Sequence, residues 1–189
     1  MTGLRALILV VLVAGSGTAA SAQLIAQGEL TRIEADVRAV ADAVLTVMPM
    51  DEPVRLEAKT WVTNAVAYRR DDAAWIGFNP LWVQGMLTRP EGDRWPLIAV
   101  VAHEIGHHVA GDTRGPVRRG HAAELFADAR AGAVLRRMGA RLPQAQELWR
   151  DFAVRGSETH PPRAARLDAV ERGWTEPGAW LDRSDAFNE

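Results

Sequence analysis

The stretch LIAVVAHEIGHH, at Leu97–His108, joins an apolar run to the pattern His-Glu-x-x-His. The run is apolar on every side, which predicts a buried helix. Pro96 precedes it, in the first turn, where the missing N–H of proline costs least. Residues four apart lie one turn above each other on a helix, so His103 and His107 can direct a ring nitrogen at one metal ion. Glu104 lies beside the same cleft.

Two imidazoles and a neighbouring carboxylate on one turn are typical of a zinc site with a general base. The alternative is a pair of histidines that are merely packed or solvated. Burial of two unpaired rings and a carboxylate on an apolar helix would be costly, which argues against that alternative. The chain contains no cysteine, so histidine and carboxylate side chains must supply every protein ligand to a Zn²⁺ cofactor.

Catalytic zinc usually has three protein ligands and one position for water. A third histidine six residues after His107 would complete one known pattern, but that position is Thr113. A glutamate on a following helix is the other option, and Glu124 opens the segment ELFAD. Asp128 shares its helical face and can accept the free N–H of a ligating imidazole. Ordinary solvated helix carboxylates are the alternative for both.

The remaining pattern predicts an α+β, mostly helical domain with a small β-hairpin ahead of the motif helix. We expect the hairpin to pair Val54–Ala67 with Ala74–Phe78 across a polar turn at residues 69–72. Proline and glycine mark most of the element ends. The predicted helices are 24–48, 81–87, 95–110, 121–138, 143–154 and 161–172.

Residues 1–22 have the form of a signal peptide, with Arg5, the apolar run Ala6–Ala14 and a cleavage site at Ala20-Ser21-Ala22. An uncleaved anchor is the alternative. Cleavage would leave residues 23–189 as a single domain with no further apolar segment long enough to span a membrane. We therefore expect a periplasmic or secreted protein. A net charge of −2 gives no indication of a nucleic-acid partner.

Three ordered motifs resemble those of the HtpX and CAAX-prenyl-protease family of gluzincin zinc metallopeptidases. They are HEIGHH, ELFAD and Thr159-His160-Pro161-Pro162, the last followed by Arg166. The resemblance runs from about residue 64 to 174 and implies a zincin-like metallopeptidase domain. It implies that Zn²⁺ is bound by His103, His107 and Glu124, with Glu104 as the general base.

The resemblance also implies that His160 and Arg166 lie near the open side of the metal, where such a histidine caps the metal in a resting state or stabilises an oxyanion and the arginine lies close by. Either residue is our candidate to stabilise the oxyanion. Asn64-Ala65 resembles the Asn-Ala of the strand that borders the substrate cleft. Two features depart from the family. This chain lacks the spanning helices of the membrane members, and Asp112 stands where many relatives have another histidine.

These expectations lead to a zinc-dependent endopeptidase whose partner is a polypeptide substrate, such as a misfolded or envelope protein. We expect the peptide to lie extended along the edge of the Ala74–Phe78 strand. Two alternatives remain open: a zinc-stabilised binding or chaperone-like module without activity, and an amidase that acts on cell-wall peptides. An intact Glu104 favours an enzyme, because metal ligation does not need that residue.

Other chemistry-bearing residues have simpler expected roles. His108 lies about 100° around the helix from His107, so it should serve packing or support the site indirectly. His121 is expected at a helix cap or on the surface. The tryptophans are expected in the core, as is usual for this residue type; they include Trp61, Trp75, Trp82 and Trp95.

Overall fold

The computed structural model of the chain describes residues 25, 27–89, 93–111, 113 and 120–182. The predicted signal peptide at residues 1–22 and most of the loop after Gly111 lie outside these residues. Helices and strands follow in the order α1 (Gln27–Val47), β1 (Val54–Ala58), β2 (Ala65–Arg70), β3 (Ala73–Phe78), α2 (Pro80–Leu87), α3 (Trp95–Ala110), α4 (His121–Arg137), α5 (Leu142–Ala145), α6 (Glu147–Arg150), α7 (Arg163–Thr175) and α8 (Pro177–Leu181).

Helix α3, which carries the His-Glu-x-x-His pattern, is packed on several sides. It contacts helices α1, α2, α4, α5 and α6 and strands β2 and β3. Its residues from Leu97 to His108 are buried except for Ile98, which is half-buried. The helix ends at Gly111, whose φ of 79° is a left-handed conformation that glycine adopts without strain. The prediction of a buried motif helix is confirmed.

Helix α1 covers one side of this centre through a stripe of apolar residues at three- and four-residue spacing, formed by Ile33, Val37, Ala41 and Val44. Charged residues lie between them and face outward, which is the amphipathic pattern of a helix packed on a core. Together with the sheet, these helices form a mostly helical α+β structure. In the part of the chain that the structure describes, no helix is long and apolar enough to cross a membrane.

The small sheet has the strand order β1-β3-β2, with β1 parallel and β2 antiparallel to β3. Strands β2 and β3 form a hairpin around Asp71 and Asp72, whose φ angles are 51° and 56°. Positive φ at both central residues is typical of a two-residue turn that matches the twist of the strands.

Three predictions about these elements are wrong. The expected strand Val54–Ala67 is two strands, because residues 59–64 leave the sheet between them. Ala74–Phe78 cannot offer a free edge to a peptide, since β3 lies between β1 and β2 and is paired on both sides. The expected helix 143–154 is two short helices that divide at Gln146.

Helices α4 and α7 approach so closely that their backbones are in contact at two glycines. A Cβ atom at Gly132 would lie 2.1 Å from the carbonyl oxygen of Val170, and one at Gly173 would lie 1.7 Å from that of Ala129. Neither distance is physically possible for a real side chain. Glycine at both positions therefore sets the separation of these two helices, which carry Asp128 and Arg166.

Candidate metal centre

Three side chains converge at one buried point between helices α3 and α4. His103 and His107 stand one turn apart on α3, and Glu124 lies in the first turn of α4. The two Nε2 atoms are 3.1 Å apart. Glu124 places Oε2 3.5 Å from Nε2 of His103 and Oε1 3.4 Å from Nε2 of His107. These three residues can hold a metal ion.

The spacing and chemistry of the donors suit a tetrahedral ion. Zinc bonds to imidazole nitrogen and carboxylate oxygen are about 2.0–2.1 Å, so two ligands at a tetrahedral angle lie ~3.3 Å apart. The three donor separations, 3.1, 3.4 and 3.5 Å, fall around that value. Two nitrogens and one oxygen also match a catalytic zinc site that keeps a fourth position for water.

Glycine brings the two ligand-bearing helices together. Gly106 lies within the motif, and a Cβ atom there would be 3.3 Å from Cα of Ala127 on α4. Ala127 stands between Glu124 and Asp128, so this contact places the acidic face of α4 against the histidine face of α3. The middle of His-Glu-x-x-His therefore positions the third donor.

Asp128 supports the site from behind and is fully buried. Its Oδ1 lies 2.9 Å from Nδ1 of His103, a short contact whose angle departs from that of an ideal hydrogen bond. Arg166 donates to the same carboxylate twice, from Nε to Oδ2 and from Nη2 to Oδ1, both at 2.7 Å. Nη2 of Arg166 also lies 3.4 Å from Oε2 of Glu124. Arg166 thus joins the two carboxylates of α4.

Opposite charges dominate the electrostatics of the cluster. Burial by itself lowers the pKa of His103, but the carboxylates of Asp128 and Glu124 outweigh it and raise that pKa to about 10. For Glu124, burial by itself raises the pKa, but the two histidines outweigh this effect and bring the pKa well below its usual range. Burial lowers the pKa of Arg166, but Asp128 raises it, so its guanidinium stays charged.

Glu104 faces the same cleft and is 6% exposed. Its Oε2 accepts a hydrogen bond of 2.5 Å from the backbone N–H of Ala67 on β2. This bond connects the motif helix to the strand beside it and fixes the orientation of the carboxylate. Glu104 is therefore positioned next to the donor cluster without being a member of it.

The donors line a cleft of about 690 Å³. One wall is the segment 61–66, which includes Asn64-Ala65 and leads into β2, and the other is formed by residues of the segment 151–161. His103, Glu104, His107, Glu124 and Arg166 line it between these walls. A ligand in this cleft can therefore contact both the donor cluster and β2, the edge strand of the sheet.

His160 lines the cleft but does not belong to the donor cluster. It is exposed, and its Nδ1 lies 2.9 Å from the hydroxyl of Thr159. The backbone N–H of His160 donates to Oγ of Ser157. A tight turn therefore presents His160 on the cleft wall, whereas Arg166, expected near it, is buried against Asp128.

The other histidines have the expected simpler roles. His108 is buried, with Nδ1 3.0 Å from Oγ1 of Thr113 and Nε2 3.0 Å from the carbonyl of Trp75. Burial lowers its pKa. His121 is exposed at the start of α4, 2.8 Å from the carbonyl of Ser157. The placement of Trp61 in the core is wrong, because it is 74% exposed at the cleft.

Two contributors to the site were not predicted. The hydrogen bond to Glu104 comes from the backbone N–H of Ala67, and a backbone donor cannot be recognised from the type of its side chain. Trp149 donates from Nε1 to Oδ1 of Asp128 at 2.7 Å, although these residues are 21 positions apart on different helices. Nothing in the local pattern of residues 143–154 indicates that contact.

No family model, characterised protein or solved structure matches this chain. Its function must therefore be inferred from the geometry of the site and the chemistry of its residues.

Proposed function

We propose that this protein is a zinc-dependent endopeptidase of the cell envelope or the secreted fraction. The observation that carries the proposal is the convergence of two imidazole nitrogens and a carboxylate in the lining of a cleft, beside a further carboxylate. A Zn²⁺ ion held by His103, His107 and Glu124 would lower the pKa of water towards ~7 and polarise a carbonyl group.

Glu104 is the general base in this proposal. It takes a proton from the attacking water and passes it to the amine that leaves when the peptide bond breaks. The bond from the Ala67 N–H holds one oxygen of its carboxylate and so supports a fixed orientation for this transfer. A protein that used the metal only as a structural support would not need Glu104 at this position.

His160 is our candidate to stabilise the oxyanion that develops on the scissile carbonyl. Its Nδ1 is engaged by Thr159, so we assign Nε2 as the nitrogen that donates to the substrate. Arg166 has a different role in the proposal. Its Nε and Nη2 are directed at Asp128, so it acts on the substrate only through the residues that it positions.

A polypeptide substrate is supported by the shape of the cleft. Its wall includes Asn64 and Ala65, at the start of β2, and β2 is paired with β3 on one side only among the described strands. The N–H groups of Ala65 and Ala67 already donate to Asn64 and Glu104, so an extended chain can add to this edge only at its remaining main-chain groups, through hydrogen bonds that do not depend on sequence. We therefore expect unfolded segments to be cleaved more readily than folded domains.

The test is hydrolysis of unfolded casein by residues 23–189 loaded with one equivalent of zinc. We expect cleavage that a chelator abolishes and that added zinc restores. Cleavage of isolated cell-wall peptides without cleavage of casein would favour an amidase. Stoichiometric zinc binding with no hydrolysis of any peptide between pH 5 and 9 would overturn the proposal in favour of a zinc-stabilised module.

A further inference from the structure

Trp149 is a fully buried tryptophan, and the one polar atom of its side chain hydrogen-bonds to a residue of the candidate metal centre. It is 0% exposed, and its indole Nε1 donates to Oδ1 of Asp128 at 2.7 Å. A buried indole usually fills space and finds a partner for its N–H nearby. Here the partner is the carboxylate that contacts His103, so the bond bears directly on a metal donor.

The carboxylate of Asp128 is held from two helices at once. From α7, Arg166 donates to both oxygens, and from α6, Trp149 donates to Oδ1. The terminal torsion of an aspartate is broad, so its carboxylate plane is set by its partners rather than by its rotamer. Oδ1 is the oxygen that lies 2.9 Å from Nδ1 of His103.

We propose that Trp149 is a positioning residue for the metal centre, an inference that rests on the proposed metal site. Its indole N–H keeps Oδ1 of Asp128 against Nδ1 of His103. A carboxylate oxygen at 2.9 Å favours the tautomer with hydrogen on Nδ1, the tautomer in which His103 presents Nε2 to the metal. Groups that orient a ligating histidine typically change metal affinity by about 10–100-fold when they are lost. Trp149 acts through Asp128, so we expect an effect of roughly 10-fold.

The competing explanation is that Trp149 only fills the core. The variant Trp149→Phe keeps an aromatic ring and removes the N–H donor. Trp174→Phe is the control for the loss of an indole N–H outside the site, because Nε1 of this half-buried tryptophan donates to the carbonyl of Ala140 at 2.8 Å. Each variant loses one indole and one hydrogen bond of similar length. Metal affinity, measured by competition with a chromophoric chelator, is the main readout.

Cobalt supplies a second readout that a purely structural role would not change. The visible absorption of bound Co²⁺ depends on the geometry of its ligands, so a reoriented His103 should alter the spectrum. We expect Trp149→Phe to bind zinc about 10-fold more weakly than Trp174→Phe and to show a changed cobalt spectrum. Equal zinc affinities within twofold and identical spectra would overturn the inference.

If Trp149→Phe does not fold, 3-benzothienylalanine at position 149 replaces it, since this residue keeps the two fused rings and lacks the N–H. The same two outcomes then apply. Failure of the proposed function can be told apart from failure of this inference. If the wild-type protein binds zinc but hydrolyses no peptide, the proposed activity is wrong, and the zinc affinities of the variants still test the role of Trp149. A wild-type protein that binds no zinc overturns both.

Discussion

The guanidinium of Arg166 holds the carboxylate of Asp128 through two parallel hydrogen bonds of 2.7 Å, and both side chains are almost completely buried. A bidentate pair of this kind is strong and directional. The pair contacts two of the three donor residues, since the carboxylate of Asp128 lies against His103 and the guanidinium of Arg166 lies near Glu124.

Arg166→Ala should destabilise the metal-free protein by about 3–5 kcal/mol, because it removes the bidentate guanidinium from the buried carboxylate of Asp128, and the contact with His103 does not replace both hydrogen bonds. Arg166→Lys should recover part of this loss, since an ammonium group supplies charge without the planar fork. The measurement is the free energy of unfolding from urea titration. Arg38→Ala is the control: its pair with Asp42 is exposed, so the expected change is below about 1 kcal/mol. Similar losses in Arg166→Ala and Arg38→Ala would contradict this role of Arg166.

Glu104→Gln should keep zinc and lose hydrolysis. Glutamine can still accept the hydrogen bond from Ala67, so the fold should be unchanged, but an amide cannot act as a base. General-base catalysis typically contributes about 10²–10⁴-fold, so kcat on casein should fall by at least about 100-fold. The exposed Glu171→Gln serves as the control and should match the wild type. Full activity of Glu104→Gln would refute the assigned role.

Glu57 should contribute to stability in a pH-dependent way that does not involve the metal. Hydrogen bonds from Tyr68 and Lys59, with Arg70 nearby, lower its pKa from 4.5 to about 2. A carboxylate with a lowered pKa stabilises the fold above pH 4.5, and this contribution is lost as the pH falls through about 2.

The stability difference between the wild type and Glu57→Gln should therefore be constant above about pH 5 and shrink towards zero near pH 2. Urea titrations at a series of pH values measure it, with the exposed Glu34→Gln as a comparison. A difference that does not change over this interval would show that the ion pairs of Glu57 contribute nothing.

Gly173→Ala should be strongly destabilising, at or above the upper end of the about 1–3 kcal/mol typical of overpacking, because a methyl group would overlap the carbonyl of Ala129. Gly85→Ala on α2 is the control, since a Cβ there meets nothing within 4 Å. Alanine is favoured over glycine within a helix, so this variant should be neutral or slightly stabilised. Thermal unfolding of both variants measures the effect. Equal melting temperatures would mean that the two helices can separate at little cost.

Helices α1, α2, α3, α4 and α7 were predictable from sequence to within a few residues, because each has a local pattern of apolar residues and a local end signal. The short helix α8 was not predicted, and the predicted helix 143–154 is two helices. The four-residue spacings of His103 and His107, and of Glu124 and Asp128, likewise follow from the geometry of one helix. Such features depend on neighbours in the chain.

Apart from the division of the predicted helix 143–154 at Gln146, the errors concern contacts between residues that are distant in the chain. Nothing local shows that β1 pairs with β3 in parallel, so the edge available beside the cleft was assigned to the wrong strand. The exposure of Trp61 and the bond from Trp149 to Asp128 were missed for the same reason. The resemblance implied only that Arg166 lies near the open side of the metal, and its bond to Asp128 depends on how closely α4 and α7 approach.

That approach has a consequence for the energetics of ligand binding. Two helices whose backbones touch at Gly132 and Gly173 cannot slide or roll past each other without separating. The carboxylates on α4 are therefore held in a preorganised arrangement, so an incoming ion has little backbone entropy to remove. Metal binding should then proceed with almost no change in backbone hydrogen exchange along α4, and its affinity should reflect the donors themselves rather than a folding step.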